Sequence, residues 1–394
     1  MARKPLVLSA PVRTPIGKFG GALASLSAAD LGTAAASAAL ERSGCPPERV
    51  DQVIFGHGRQ AGGGPNTARQ IGYRAGVPET RPAFTVNQAC GSGLQATLSA
   101  ARHILLDEAQ VALVGGTESM SNTPYMLPKA RWGYRLGHAE LSDGMYRDGF
   151  NDPLSGLVMG ETAEELAEDY GIDRASSDAW AVGSQNRCER ARGEGRFERE
   201  IVGVTVKQRR KEIEVTTDEH PRAGVVDASL AKLKPVFREG GRVTPGNASG
   251  ITDGAAALLV ASEAAAGELA LPVAGYLHDW EVVGVEPRIM GIGPVPAVRA
   301  LLERNELDYG DIDQVELNEA FACQVLACLA DLPFNPERVN PDGGAISLGH
   351  PIGCTGARIL VTLLHGLAQR NGRWGIATLC VSGGMGLAAL VERI

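Results

Sequence analysis

Apolar positions along this chain follow a helical rhythm in some stretches and form short continuous runs in others. From Ser27 to Arg42 an alanine-rich stretch has the composition of a helix. After a short Cys-Pro-Pro-Glu-Arg link, Val50–Gly56 reads as a buried strand. Leu94, Leu98, Ala101 and Leu105 then fall on one face of a helix. An apolar strand at Val111–Val114 follows, and then Gly115-Gly116. Late in the chain the same order returns. Pro296–Arg304 has a helical pattern and Ile312–Asn318 a strand pattern. Leu360, Leu363, Leu364 and Leu367 share one helical face, and Ala377–Cys380 is an apolar strand before Gly383-Gly384. The first strand of each set contains Asp-Gln-Val, at Asp51 and at Asp313. Strand, turn, helix, strand and double glycine thus occur twice. The repetition implies an α/β protein built from two similar halves, one spanning residues 1–264 and the other 271–394.

Between the first double glycine and the next apolar strand the pattern breaks. Residues from about 120 to 250 hold aromatic and basic side chains (Tyr125, Arg131, Trp132, Tyr134, Arg135), an acidic helical stretch at Glu161–Tyr170 and a basic run from Lys207 to Lys211. This reads as a loop domain inserted into the first half. The basic run is most simply the solvated face of a hairpin, with phosphate binding as a second reading.

Composition narrows the class. With 394 residues and 44% hydrophobic content, the chain can form two or three ordinary domains. Its net charge of −8 argues against a nucleic-acid partner and against an anionic membrane surface. No apolar run is long enough to cross a bilayer, and the basic N-terminus lacks the apolar segment of a secretory signal. The seven cysteines are scattered with no C-x-x-C pair, so neither a disulfide framework nor a structural zinc site is expected, and no metal. A reducing, cytoplasmic compartment fits. Glycine is 50 of 394 residues, about twice the usual share, which implies many tight turns or close backbone approaches.

Three glycine-flanked fragments carry the candidate chemistry: NQACGSGLQA around Cys90, GGAISLGHPIG around His350 and LCVSGGMG around Cys380. A cysteine and a histidine make a nucleophile and its activating base, and a second cysteine suggests a second proton-handling step. Cys90 lies between an extended segment and a helix. At a helix N-terminus the dipole and free N–H groups favour thiolate, and Gly91 and Gly93 are expected to keep that turn bare. His350 stands between Gly349 and Pro351, where packing asks little of an imidazole. Asn318 closes the second Asp-Gln-Val strand in LNEAF and either forms a turn or holds an oxyanion. Glu319 beside it reads as structural. Cys380 ends an apolar strand; it is either a core residue or, given the turn at Ser382-Gly-Gly, a catalytic thiol.

These motifs, with PVRTPIGKFGG, GGTESMS and GNASG, occur in an order that closely resembles the thiolase family of acetyl-CoA acyltransferases along nearly the whole chain. The resemblance implies a five-layered duplicated α/β fold with an inserted loop domain, in a dimer or tetramer. It implies that Cys90 is acylated, that His350 activates it, and that Cys380 exchanges a proton with the substrate α-carbon. Asn318, through a water, joins His350 in one oxyanion hole, and the main-chain N–H groups of Cys90 and Ser382 form another. Arg222, Ser229, Phe237 and Ser249 match coenzyme A contacts. Ala320 and Phe321 match the acyl end, and Met159 and Met290 match residues lining the acyl pocket. The substrates implied are acyl-CoA and CoA, with no separate cofactor. Condensation of two acetyl-CoA or its reverse is the reaction implied, and a broad-range or dicarboxylate-type degradative 3-ketoacyl-CoA thiolase is the alternative. Two positions depart from the pattern: Ser382 replaces the usual Gly, and Val158 stands where strictly acetoacetyl-specific relatives carry His. A ketoacyl synthase of the same fold is a rival, disfavoured by the second cysteine. A catalytically dead CoA- or lipid-binding relative is another, disfavoured because all four polar site residues are present.

Overall fold

Two β-α-β units, one in each half, are joined through a single sheet. A computed structural model of the chain describes residues 4–208 and 211–394. The strands that matter are β1 (Leu6–Arg13), β2 (Gln52–Gly56), β3 (Ala83–Val86), β4 (Val111–Ser119) and β5 (Thr252–Ala261) in the first half. In the second are β6 (Val273–Gly284), β7 (Gln314–Leu317), β8 (Trp374–Val381) and β9 (Met385–Glu392). They lie in the order β7-β8-β9-β6-β1-β5-β4-β2-β3, and the short strand Gly17–Lys18 pairs with β5. The halves meet where β1 runs antiparallel to β6, with Leu6 opposite Leu277. In each half the repeated unit supplies the parallel pairs: β2 with β3 and β4, and β7 with β8.

Helices complete five layers. The alanine-rich stretch forms α1 (Ala28–Ser43), with Ser27 and Asp30 closing a capping box at its start. Its buried Leu31, Ala35 and Ala39 pack on the outer side of the first half, in a core with Val53, Phe55 and Leu259. In the centre, α2 (Ser92–Leu105) packs against α6 (Ile352–Arg370) between the two parts of the sheet. Leu94, Leu98 and Ala101 meet Leu360, Leu363, Leu364 and Leu367 there, so both apolar faces read from the sequence are used. The outer layer of the second half holds α4 (Pro294–Arg304) and α5 (Ala322–Asp331), packed on Val315, Ile376 and Leu390. One further helix, α3 (Met159–Asp169), lies in the inserted region and packs against α5.

The two double glycines are not equivalent, contrary to the sequence pattern. Gly383 and Gly384 have φ values of +86° and +83° and form the turn from β8 to β9. Gly115 and Gly116 lie inside β4, which runs on to Ser119. A Cβ on Gly115 would sit 2.2 Å from Ala256 O, and one on Gly116 2.2 Å from Gly353 O. Gly91 and Gly93 likewise do not merely leave a turn bare. A Cβ at Gly93 would lie 2.6 Å from Ala357 N, and one at Gly356 would lie 2.4 Å from Leu94 N. Glycine therefore lets α2 and α6 touch backbone to backbone, which brings the two site-bearing turns close together.

The inserted region contains a hairpin, Val204–Gln208 with Lys211–Val215. Lys207 and Lys211 are exposed on it, while the middle of the basic run, Arg209 and Arg210, lies outside the described residues. Among the described residues no helix is long and apolar enough to cross a membrane, and no group of His, Cys, Asp or Glu is arranged to hold a metal ion.

Candidate active site

Cys90 sits in a one-turn segment, Ala89–Gly91, that joins β3 to α2. The chain reaches it through Ala89 at φ +44°, a left-handed conformation costly for a residue with a Cβ. Local bonds hold it there. The Ser92 hydroxyl accepts from Gln88 N at 2.9 Å and donates to Ala89 O at 2.7 Å. Ala89 N donates to Asn87 Oδ1 at 3.0 Å. The main-chain N–H groups of Ser382 and of Cys90 itself are directed at the Cys90 sulfur.

The thiol of Cys90 nevertheless lies above its ordinary range. Burial raises it, and the charge of Arg59 and the two N–H groups only partly offset that. This corrects the expectation that the helix N-terminus alone would favour thiolate: desolvation wins, so Cys90 needs a base.

His350 supplies one. It lies 5% exposed just before α6. Its Nδ1 is 2.6 Å from the Thr355 hydroxyl, which donates its own proton to Pro351 O at 2.9 Å. The hydroxyl therefore accepts from Nδ1–H, and Nε2 keeps its lone pair. Burial first, then the positive charges of Arg358 and Arg59, hold the imidazole pKa down at about 3. His350 is thus neutral at physiological pH, with the lone pair at Nε2 free to accept a proton.

Asn318 follows β7, its N–H continuing the ladder to Thr378 O at 3.0 Å. Its Nδ2 is 3.5 Å from His350 Nε2, long for a direct bond, and its Oδ1 is buried without a protein partner. Cys380 is 1% exposed near the end of β8. Burial and then the neighbouring Cys90 push its thiol well above the ordinary value, so it rests protonated.

Cys90, His350, Cys380 and Ser382 line one cavity of about 210 Å³. Met159, Phe237, Ser249, Met290, Ala320 and Phe321 line it too, as does Val158. Ser249 N bonds Ala320 O at 3.0 Å, which joins the inserted region to the second half at the cavity wall. Arg222 and Ser229 are not part of that wall. Arg222 N donates to Gln185 Oε1, and the Ser229 hydroxyl caps its own short helix by accepting from Val226 N at 3.3 Å while donating to Val226 O. Glu319 is structural, accepting from Trp180 Nε1, Ser184 Oγ and Asn340 Nδ2.

Two residues escaped the sequence reading. Glu118, in GGTES, is fully buried. It takes N–H groups from Gly58 at 3.0 Å, Arg59 at 3.1 Å and Gly353 at 2.8 Å, and pairs with His57 Nε2 at 3.1 Å. Burial opposes its charge, but His57, Arg59 and these N–H groups hold it below the usual carboxylate range. It ties the loop after β2 to the start of α6. Arg59 lines the cavity beside Cys90. Neither belongs to a periodic pattern, and the acidic residue inside an apolar strand was the one available signal.

Comparison with known proteins gives matches along nearly the whole chain. The family model described as "Thiolase, N-terminal domain" matches residues 6–264, and "Thiolase, C-terminal domain" matches 271–393. The acetyl-CoA acetyltransferase of Cupriavidus necator is 46% identical over 389 residues, covering 98% of this chain and 99% of that protein. The crystal structure of the Bacillus anthracis acetyl-CoA acetyltransferase superposes with a TM-score of 0.97 at 45% identity, covering 100% of both chains. Human mitochondrial 3-ketoacyl-CoA thiolase in complex with CoA gives a TM-score of 0.96 at 40% identity, covering 100% of this chain and 99% of that one.

Proposed function

The chain belongs to the thiolase family, and from that premise we propose how its cavity works. The protein is an acyltransferase that condenses two acetyl-CoA to acetoacetyl-CoA and CoA, or runs the reverse thiolysis of 3-ketoacyl-CoA. The observation that carries the mechanism is the meeting of a base fixed at Nε2 with two protonated thiols in one cavity.

His350 Nε2 takes the proton of Cys90, and the thiolate attacks the thioester carbonyl of acetyl-CoA. The developing oxyanion is held by preorganised donors, with the N–H groups of Cys90 and Ser382 as one set and Asn318 and His350 as the other. Asn318 acts through a water, because its buried amide oxygen needs a partner. As the C–S bond breaks, the departing CoA sulfur takes the proton of Cys380. The cavity then holds acyl-Cys90, His350 as imidazolium and Cys380 as thiolate. Cys380 removes a proton from the α-carbon of the second acetyl-CoA, and the carbanion attacks the acyl carbonyl. Acetoacetyl-CoA leaves, and imidazolium returns its proton to Cys90. Every proton is accounted for with the chain's own groups and two thioesters, so no cofactor enters this reading.

The halves 1–264 and 271–394 each supply part of this machinery: Cys90 comes from the first, and Asn318, His350 and Cys380 from the second. Phe237 and Ser249 at the wall support entry of pantetheine from the loop domain, with Arg222 and Ser229 further out toward the nucleotide. We further propose a homo-oligomer, a dimer or tetramer, acting in the cytoplasm in fatty acid metabolism. Trp132 at 88% and Leu136 at 97% exposure support association through the inserted region, and seven free thiols support a reducing compartment.

The test is direct. Purified protein given acetoacetyl-CoA and CoA should form two acetyl-CoA per substrate consumed. Absence of turnover under reducing conditions would overturn the functional reading.

A further inference from the structure

Arg59 carries a guanidinium that touches no reacting atom in the steps above, although its charge reaches Cys90 and His350. It lies 8% exposed on the loop after β2, in the wall of the cavity that holds Cys90 and His350. Among the described residues its side chain makes no hydrogen bond and no ion pair, and its Nε is fully buried without a partner. The nearest ring, Phe150, has its centroid 6.0 Å away, at the outer limit of a cation–π contact. Space for the group is built in: a Cβ on Gly149 would lie 2.0 Å from Arg59 Nη2.

A cation held this deeply is costly unless an anion pairs with it. The neighbouring carboxylates do not bond it, although its charge helps keep Glu118 ionised. Glu118 is occupied by His57 and three main-chain N–H groups. Asp148 lies beside Arg59 on an adjoining shallow cleft, but it is 3.8 Å from Arg147 and half exposed. The free arms of the guanidinium therefore address a ligand.

The cavity has two apolar walls. One holds Cys380 with Met290, Ala320 and Phe321. The other holds Met120, Met145 and Ile352, with Cys90 and Phe150 packed on it. Arg59 belongs with Phe150 and so with the Cys90 wall, where the acyl group rides on the sulfur. We propose that Arg59 reads a carboxylate at the far end of that acyl chain. Among 3-ketoacyl-CoA substrates longer than acetoacetyl-CoA, the enzyme then selects those derived from dicarboxylic acids. The inference rests on the thiolase reading above. The planar fork of arginine suits a carboxylate, and a methyl end there leaves the cation unpaired.

The experiment compares two six-carbon thioesters, 3-oxohexanedioyl-CoA and 3-oxohexanoyl-CoA, in thiolysis, with acetoacetyl-CoA alongside. The wild type should favour the charged thioester by about 10²-fold in kcat/KM, the scale of a buried charge pair, mostly through KM. Arg59→Met should bring that ratio close to one, Arg59→Lys should keep part of it, and Gly149→Ala, which displaces the guanidinium, should lower it. A wild-type ratio near one would overturn the inference while acetoacetyl-CoA turnover left the thiolase reading standing. Arg59→Met lowering all three substrates equally would also overturn it, placing Arg59 in the electrostatics of Cys90. No turnover of any thioester would instead sink the thiolase reading.

Discussion

The Nδ1 of His350 and the hydroxyl of Thr355 are 2.6 Å apart, and the hydroxyl's own proton is given to Pro351 O. Thr355 therefore fixes the imidazole with its proton at Nδ1 and its lone pair at Nε2. Thr355→Val removes that acceptor at little change in volume. Cys90 acylation should slow by about 10²-fold, the lower end of what a positioned base contributes, with acetyl-CoA binding little altered. An unchanged single-turnover rate would show that the tautomer is set some other way.

The same histidine sets an acid sensitivity. Folding lowers its pKa from 6.5 to about 3, through burial first and then Arg358 and Arg59. Between these values the unfolded chain binds a proton that the folded chain does not. The contribution to stability is therefore intact above about pH 6.5 and lost progressively as pH falls toward 3. His350→Asn should narrow the difference in Tm between pH 7.5 and pH 5, while abolishing turnover. An equal difference in both proteins would contradict the burial of a neutral imidazole.

Cys380 rests as a thiol because burial and Cys90 both disfavour its charge. Cys380→Ser should still acquire an acetyl group at Cys90, more slowly because the departing CoA sulfur loses its proton donor. It should hardly condense, since a serine hydroxyl does not ionise to the base that the α-carbon step needs. Deuterium exchange at the α-carbon of acetyl-CoA, followed by mass spectrometry, reads the step. Exchange at the wild-type rate would remove Cys380 from it.

Substrate length is a separate matter from the end group read by Arg59. Val158, Met159 and Met290 line the cavity, and methionine repacks readily around different apolar shapes. A pocket that repacks in this way discriminates weakly between apolar chains of different length. Thiolysis kcat/KM should therefore decline gradually from C4 to C6 to C8. A fall of several orders of magnitude between C4 and C6 would mean that Val158 does not open the pocket.

The residues of the candidate site could be picked out because they sit at strand ends, where Gly and Pro mark the turns. Cys90, His350 and Cys380 each stand in such a punctuated segment, and the repeat aligns the first two. Arg59 and Glu118 could not be read this way. Their roles arise from contacts across the fold, such as Glu118 with Gly353, and local pattern carries no trace of them. The glycines misled in part. Gly93, Gly115, Gly116 and Gly356 serve backbone-to-backbone packing, which a sequence does not distinguish from a substrate-facing loop. Thiol acidity at Cys90 was misjudged because a helix N-terminus is visible in sequence and desolvation is not.

Gly356 gives that point a thermodynamic test. A methyl there would meet Leu94 N at 2.4 Å, where only backbone can give way. Overpacking of this kind costs about 1–3 kcal/mol, so Gly356→Ala should lower Tm by several degrees and reduce turnover by shifting α2 against α6. A variant with wild-type Tm would mean that the two helices separate freely.

The central claim is that Cys90 carries the acyl group. Brief incubation with acetyl-CoA, acid quenching and peptide mass spectrometry measure it most directly. The account predicts one acetyl group on the peptide containing Cys90, released when CoA is added, and none in His350→Asn within the same interval. Acetyl found instead on Cys380 or Cys354 would contradict it.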